Sequence, residues 1–360
     1  MDADEIKIDL FLPPSHDEEL NQYTFDFYEA LSKLGVNCRL LKGDSHNPAA
    51  FIDDLLKNKP HYTLSFNGLL PDDQGRFLAD LLNINHIAYI TEFPSAFALL
   101  NQSKKTLITA PDKGSVNFLK GLGCPSVFPL KTASGSIDQH KDKTYKYVAH
   151  VSSLTLEDYL NRLAKKFPEP LIDILLDAAE LTLKNESLYF YEALVHSFRP
   201  DKLTIPPQNI DFSLLLEELE NLTKIISWER LLESFPHSID IFSEFDKEDS
   251  LKKKFHSKHR FHRQVSYNEW RKILMTSEYN LLSSPILKNG VEASFYLTIA
   301  SSSMPIINEN AFTKEWDVIR YYADNPSFGT FTTENVEKNL ARFKEKDTWT
   351  ERAKELISIL

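Results

Sequence analysis

Glycine is scarce in this chain, at 10 of 360 residues, where about 7% is usual. A glycine-rich loop that lets backbone approach a phosphate therefore has little material. Only two cysteines occur, Cys38 and Cys124, with no metal-ligand spacing. They read as buried thiols of a reducing compartment, and a cytoplasmic location is expected. No apolar run approaches about 18 residues, so no membrane-spanning helix is expected. The opening MDADEIKIDLFLPP has no basic region ahead of an apolar core, so no signal peptide is expected. Positive charge is also in deficit: the net charge is −11. That argues against non-specific nucleic-acid binding by the chain as a whole, and no nucleic-acid partner is expected. No internal repeat and no low-complexity segment is present.

What is present is ample core material. Hydrophobic residues make up 42% and charged residues 26%, with 24 Phe and 14 Tyr. At roughly 100–200 residues per domain, the length points to two domains. The first 140 residues alternate short apolar strands with helices. Ile6–Leu12, Cys38–Leu41, Tyr62–Phe66, His86–Ile90, Thr106–Thr109 and Ser126–Phe128 read as strands. Asp17–Leu34, Phe51–Leu56, Gln74–Leu82 and Lys113–Leu122 read as helices. Repeated β-α-β implies a parallel sheet with helices on both faces.

Tyr147–Val151 begins a second unit, over about 141–332. A helical insertion covers about 155–234, broken at Phe167–Pro170 and by the loop Asp201–Asn209. The rhythm then returns: Ser238–Phe242 as strand, Tyr267–Leu274 as helix, Tyr279–Leu282 as strand, Val291–Ala300 as helix, Ile306–Asn308 as strand. The end, 333–360, is helical with a break near Lys346-Asp347. The fold class expected is α/β, with two Rossmann-like domains facing a cleft. Ligands of such sheets bind at the carboxyl ends of the strands.

One stretch breaks a local rule. VEASFYLTIASSSMPIIN, Val291 to Asn308, has the layout of helix, turn and strand. The glycine that usually stops a helix is missing, and Ser301-Ser302-Ser303 stand there instead.

Taken in order, VAHVSS (148–153), IDIFSEF (239–245), HRFHRQV (259–265), YNLLSSPILKNG (279–290) and the Val291 stretch resemble the nucleotide-sugar-binding domain of GT-B glycosyltransferases. They are most similar to the spore-maturation (CgeB-like) group. In the first half, YTLSFNG and HIAYITEFPSAF resemble that group's strands and its D-x-P element, here Glu92-Phe93-Pro94. The resemblance spans most of the chain and rests on the order of segments. Ser152, Ser243 and Ser302 stand where the group has glycine, and the arginine expected near Ser294 is missing.

The resemblance implies transfer of a sugar from a nucleotide sugar to a glycan, protein or small-molecule acceptor, without metal or cofactor, and a terminal helix returning to the first domain. The alternative is a degenerate binding or scaffold protein of the same shape. On the donor side it implies Ser152, Ser153, Ser243, His262, Val265, Lys288, Asn289, Gly290, Glu292 and Ser302. Lys288 would offer charge to a diphosphate, or is a solvated loop lysine. Glu292 would hold a ribose or sugar hydroxyl, or is a first-turn glutamate favoured by the helix dipole. On the acceptor side it implies His16 or Glu92 as catalytic base, near Asn67. Ser15 and Glu18 also read as a capping box that would place His16 at a helix start. His150 reads as a core histidine. The run KKKFHSKHRFHR (252–263) is an anion site or a solvated face. Its three histidines lack the carboxylate or cysteine that would complete a metal set.

Overall fold

The chain divides into two compact units, Met1–Ser136 with Arg342–Leu360, and Ile137–Ala341. The computed structural model describes residues 5–13, 16–43, 48–135, 142–151, 154–198, 211–243, 250–328 and 335–360.

The first unit holds β1 (Lys7–Leu12), α1 (Glu18–Lys33), β2 (Asn37–Lys42), α2 (Pro48–Lys57), β3 (Tyr62–Phe66), α3 (Leu78–Leu82), β4 (Asn85–Tyr89), β5 (Thr106–Ala110), α4 (Lys113–Gly121) and β6 (Val127–Pro129). The strands form one parallel sheet in the order β2-β1-β3-β4-β5-β6. The helical spacing of Tyr23, Phe27 and Leu31 turns these side chains inward on α1, where all are buried. The helix starts at Glu18 because Asp17 caps it, its Oδ1 accepting from the Leu20 N–H at 3.0 Å. This corrects the expected Ser15–Glu18 box; Ser15 itself lies outside the described residues. α3 is also shorter than its sequence pattern. The Asp72 carboxylate accepts from the N–H groups of Gln74 and Arg76 and from the Arg76 guanidinium. That side-chain turn holds the backbone out of a helix until Leu78.

The second unit holds β7 (Tyr145–His150), α5 (Leu156–Leu163), α6 (Glu169–Lys184), α7 (Phe190–Ser197), α8 (Phe212–Ser234), β8 (Asp240–Phe242), α9 (Ser250–Phe255), β9 (Arg260–His262), α10 (Tyr267–Met275), β10 (Ser277–Leu281), α11 (Ala293–Ala300), β11 (Met304–Asn308) and β12 (Ile319–Tyr321). Its sheet is also parallel, in the order β12-β11-β10-β7-β8-β9. Alternation divides the core between the two faces. Ala149, Ile241, Leu281 and Ile306 cluster with Leu231 and Phe235, from α8 and the residue after it. Val148 and Phe242 cluster with Trp270, Leu274 and Leu297 of α10 and α11. α12 (Val336–Lys346) and α13 (Trp349–Ile359) end the chain. α13 belongs to the first unit, where the Trp349 ring lies 5.5–5.9 Å from those of Tyr23, Phe27, Phe66 and Tyr89.

The serine turn resolves the broken rule at α11. Ser302 takes the left-handed conformation itself, at φ 56°. Its N–H donates to the Ile299 carbonyl, and the Ser303 N–H donates to the Thr298 carbonyl. These are the two bonds of a Schellman motif, with serine in the place where glycine is usual.

Candidate functional site

In a parallel sheet the loops that follow the strands share one edge, and the helices that follow begin there. Helix ends, and the turns into the next strand, lie at the opposite edge. Ligands of such sheets collect at the carboxyl edge beside the point where strand order reverses. That point falls between β1 and β3 in the first sheet and between β7 and β10 in the second.

At the first sheet's carboxyl edge, β3 runs into Asn67 and Gly68, both with positive φ, 57° and 76°. A side chain at Gly68 would also come within 3.1 Å of Ala88 and Leu100, so glycine is required there. Asn67 ties this loop to the one after β4. Its Oδ1 accepts from the Thr91 N–H and hydroxyl, each at 2.9 Å, and its Nδ2 donates to Glu92 Oε1 at 3.3 Å. The Glu92 side chain is exposed at this edge. In the first turn of α1, Glu19 accepts from the Tyr23 hydroxyl. Crowding by surrounding protein, and then the charges of Glu92 and Asp17, raise the Glu19 carboxyl above the usual range. The residue keeps exposed surface, which moderates that rise. His16 is exposed in the turn before α1. The structure thus joins Glu92 and Asn67 directly and adds Glu19, which the sequence did not single out. The signal available was its place one residue into a helix at a carboxyl edge.

The second sheet places the donor-side residues in three groups. The first is a row in strand register, with His150 opposite Phe242 and Phe242 opposite His262. His262 stacks on Phe242 at 4.6 Å, and Phe242 and His150 both meet the Trp270 ring, at 5.7 and 5.5 Å. Asp240 holds the row in place: its Oδ1 bonds His262 Nε2 at 2.7 Å and its Oδ2 accepts from Arg260 at 2.5 Å. Ser243 follows β8, buried, its N–H donating to the His262 carbonyl at 3.4 Å. Val265 is half-buried beside the same apolar cluster. His150 is exposed at the end of β7, which corrects its reading as a core histidine.

The second group lies after β10. Residues 282–288 are buried, held by two asparagines that the sequence did not bring forward. Asn308 bonds both the N–H and the carbonyl of Ser284, and Asn310 donates to the carbonyls of Leu287 and Gly290. Lys288 corrects its expected role. It is buried, and its Nζ donates to the Thr182 carbonyl of α6 at 2.7 Å. Burial lowers its pKa to about 8, with Glu186 opposing the fall. Its ammonium anchors the loop to α6 and is not a solvated loop charge. Asn289 is exposed and donates to the Tyr189 hydroxyl at 2.9 Å. Glu292 is the N-cap of α11, half-buried, with no side-chain cap bond to the helix. It therefore precedes the first turn.

The third group is Ser302 alone. It precedes β11 and so lies at the amino edge. The eight residues of α11 separate it from Glu292, about 12 Å of helix. Ser302 does not meet the rest of the set. Ser152 and Ser153 lie outside the described residues.

The basic run also takes structural partners. Lys254 pairs with Glu229 at 2.7 Å and Arg260 with Asp240. Lys258 and His259 donate to the last carbonyls of α8, at Leu232 and Glu233. An ammonium at a helix C-terminus, here that of Lys258, is favoured there. Among the described residues no group of three or more His, Cys, Asp or Glu could hold a metal ion, and no helix is long and apolar enough to cross a membrane.

No protein-family model and no curated protein matches the chain in sequence. Solved structures do match it. AviGT4, a glycosyltransferase involved in avilamycin A biosynthesis, aligns with 98% of this chain and 96% of its own, at 9% identity and a TM-score of 0.51. An α-glucosyltransferase in complex with UDP and a 13-mer DNA aligns with 97% of this chain and 94% of its own, at 10% identity and a TM-score of 0.47. Anabaena Alr3699/HepE in complex with UDP aligns with 98% and 94%, at 8% and 0.41. The DNA is that enzyme's partner; the expectation that this chain has no nucleic-acid partner does not stand, because it rested on net charge alone. A net charge summed over a whole chain does not govern what one surface binds. With its two six-stranded parallel α/β units and this likeness over nearly its whole length, the chain has the two-domain, Rossmann-like GT-B fold.

Proposed function

We propose that the chain moves a sugar from a nucleotide sugar to an acceptor, as a cytoplasmic, metal-independent glycosyltransferase of the spore-maturation (CgeB-like) kind. The observation that supports this best is the beginning of α11 beside the second sheet's switch point, in the fold that AviGT4 shares. The N–H groups of that helix start attract a diphosphate. Glu292 at the N-cap accepts a ribose or sugar hydroxyl, with Asn289 and Gly290 just before it. Lys288 holds this loop on α6 and keeps the helix start in place. On the first unit, Glu92, oriented by Asn67, is the base that takes the acceptor proton, and His16 is the second candidate. A raised Glu19 carboxyl beside it limits the negative charge collected there.

A second reading has a specific observation in its favour. Lys288 is bonded to α6 and Ser302 lies at the opposite edge, so two candidate diphosphate ligands are gone. That favours a GT-B-shaped binding module. Melting temperatures with UDP, GDP, ADP and their sugars separate the two readings. A bound nucleotide at 100 times its Kd adds about 2.7 kcal/mol of stability. With the nucleotide that binds, Glu92→Gln is expected to lower turnover by about 10²–10⁴-fold and leave nucleotide affinity unchanged. No shift with any nucleotide moves the binding module to the front.

A further inference from the structure

The helical insertion of the second unit encloses a cavity of about 230 Å³ on the α8 face of the sheet. Its apolar lining comes from Leu154, Ile225 and Leu251, with the rings of Tyr159 and Trp228. The residues that α8 contributes, Asn221, Lys224, Ile225, Trp228 and Glu229, recur at helical spacing, so the wall is one continuous stripe. The charged groups of its lining have partners within the protein. Lys224 is paired with Glu220 at 2.9 Å, and Glu229 with Lys254 at 2.7 Å. Arg162 and Lys166 share the single carboxylate of Glu218, at 3.2 and 2.6 Å. That carboxylate also accepts from the Tyr159 hydroxyl. The Arg162 guanidinium lies over the Tyr159 ring, 4.5 Å from its centroid. A guanidinium has five N–H donors, more than these partners use.

We propose that this cavity binds a small aromatic carboxylate, its ring against Trp228 and the aliphatic wall and its carboxylate on Arg162. The volume lies below the roughly 300–1,000 Å³ of sites for drug-sized ligands, which restricts the occupant to about one ring with a short tail. Aromatic walls favour a ring over a flexible chain, because stacking adds to area burial. The Arg162 guanidinium in the lining favours a carboxylate over an ammonium. Its lining comes from Val151 just after β7, Leu154, α5, α8 and α9, and none of it from the β10–α11 segment, so displacement by UDP decides whether the two sites are distinct.

Calorimetric titration of the full chain with 3-phenylpropionate, 3-phenylpropanol and 3-phenylpropylamine tests it. The carboxylate is expected to bind at least about tenfold more tightly than the amine. Arg162→Gln is expected to remove that preference, and Ile225→Phe, which narrows the cavity, to weaken binding of the carboxylate. Should Ile225→Phe fold poorly, tryptophan emission gives a second readout. The wild-type change on adding 3-phenylpropionate is expected to vanish in Trp228→Phe while calorimetric binding persists. Equal affinity for acid and amine, no binding of the acid at tens of millimolar, an emission change that survives in Trp228→Phe, or displacement of the acid by UDP would each overturn the proposal.

Discussion

His86 shows how one buried side chain sets a pH response. It is buried in β4, between the Thr63 hydroxyl at 2.9 Å and the Ser65 hydroxyl at 3.0 Å. No carboxylate is among these partners, and burial lowers its pKa from 6.5 to about 3. The folded protein therefore holds His86 neutral, while the unfolded chain protonates it below about 6.5. The unfolded state binds more protons in this window, so stability falls as pH falls from 6.5 towards 3. The slope for this group approaches about 1.4 kcal/mol per pH unit. Urea midpoints of wild type and His86→Gln between pH 7 and 4 check it, and the variant is expected to show the shallower decline. A side chain whose partner is distant in the chain leaves no mark in its local sequence. Lys288 sits in a loop pattern, yet its partner is a carbonyl 106 positions away in the chain. No local pattern carries that information. Asn308 and Asn310 were missed for the same reason, since each bonds a loop more than twenty residues earlier.

At the scale of elements, periodicity and turn chemistry located most helices and the inner strands. β9 and β12, each three residues at a sheet edge, escaped, although β6, equally short and at an edge, was legible. Too short to alternate, such strands are defined by the neighbour they pair with. The α6–α7 break escaped too. Asn185 accepts from the N–H groups of Ser187 and Leu188, and a single asparagine turn is a weaker signal than a proline. The missing glycine at the end of α11 is legible in the sequence, but the edge of the sheet on which Ser302 lies is not. Its left-handed conformation costs a residue with a Cβ about 1–2 kcal/mol. Ser302→Gly is expected to leave stability unchanged or raise it by up to about 1 kcal/mol, since relief of strain is offset by a more flexible unfolded chain. Ser302→Val is expected to lower it by more than about 1 kcal/mol, because β-branched residues tolerate positive φ poorly. Neither change is expected to alter nucleotide affinity, as measured by titration calorimetry.

At the scale of the molecule, the repeated β-α rhythm was legible in sequence as two parallel sheets. The strand orders were not, because they are set by long-range pairing. The C-terminal segment is integral to the first unit. Trp349 is buried against four aromatic rings, and just beyond it Arg352 is buried with Asp347 at 2.6 Å and bonded to Glu355. Trp349→Ala is expected to destabilise the first unit by about 3–5 kcal/mol. Amide exchange should then quicken in β1, β3 and β4, with β7, β10 and β11 little changed. Equal acceleration in both units would mean that the two unfold as one.

Because the first unit is assembled from both ends of the chain, its completion has an order in time. During synthesis, residues 1–136 leave the ribosome long before Trp349 is made. Until then the face formed by Tyr23, Phe27, Phe66 and Tyr89 lacks its cover. The unit begun first is therefore completed only when residues 342–360 are made, so its aromatic face waits through the synthesis of the whole second unit.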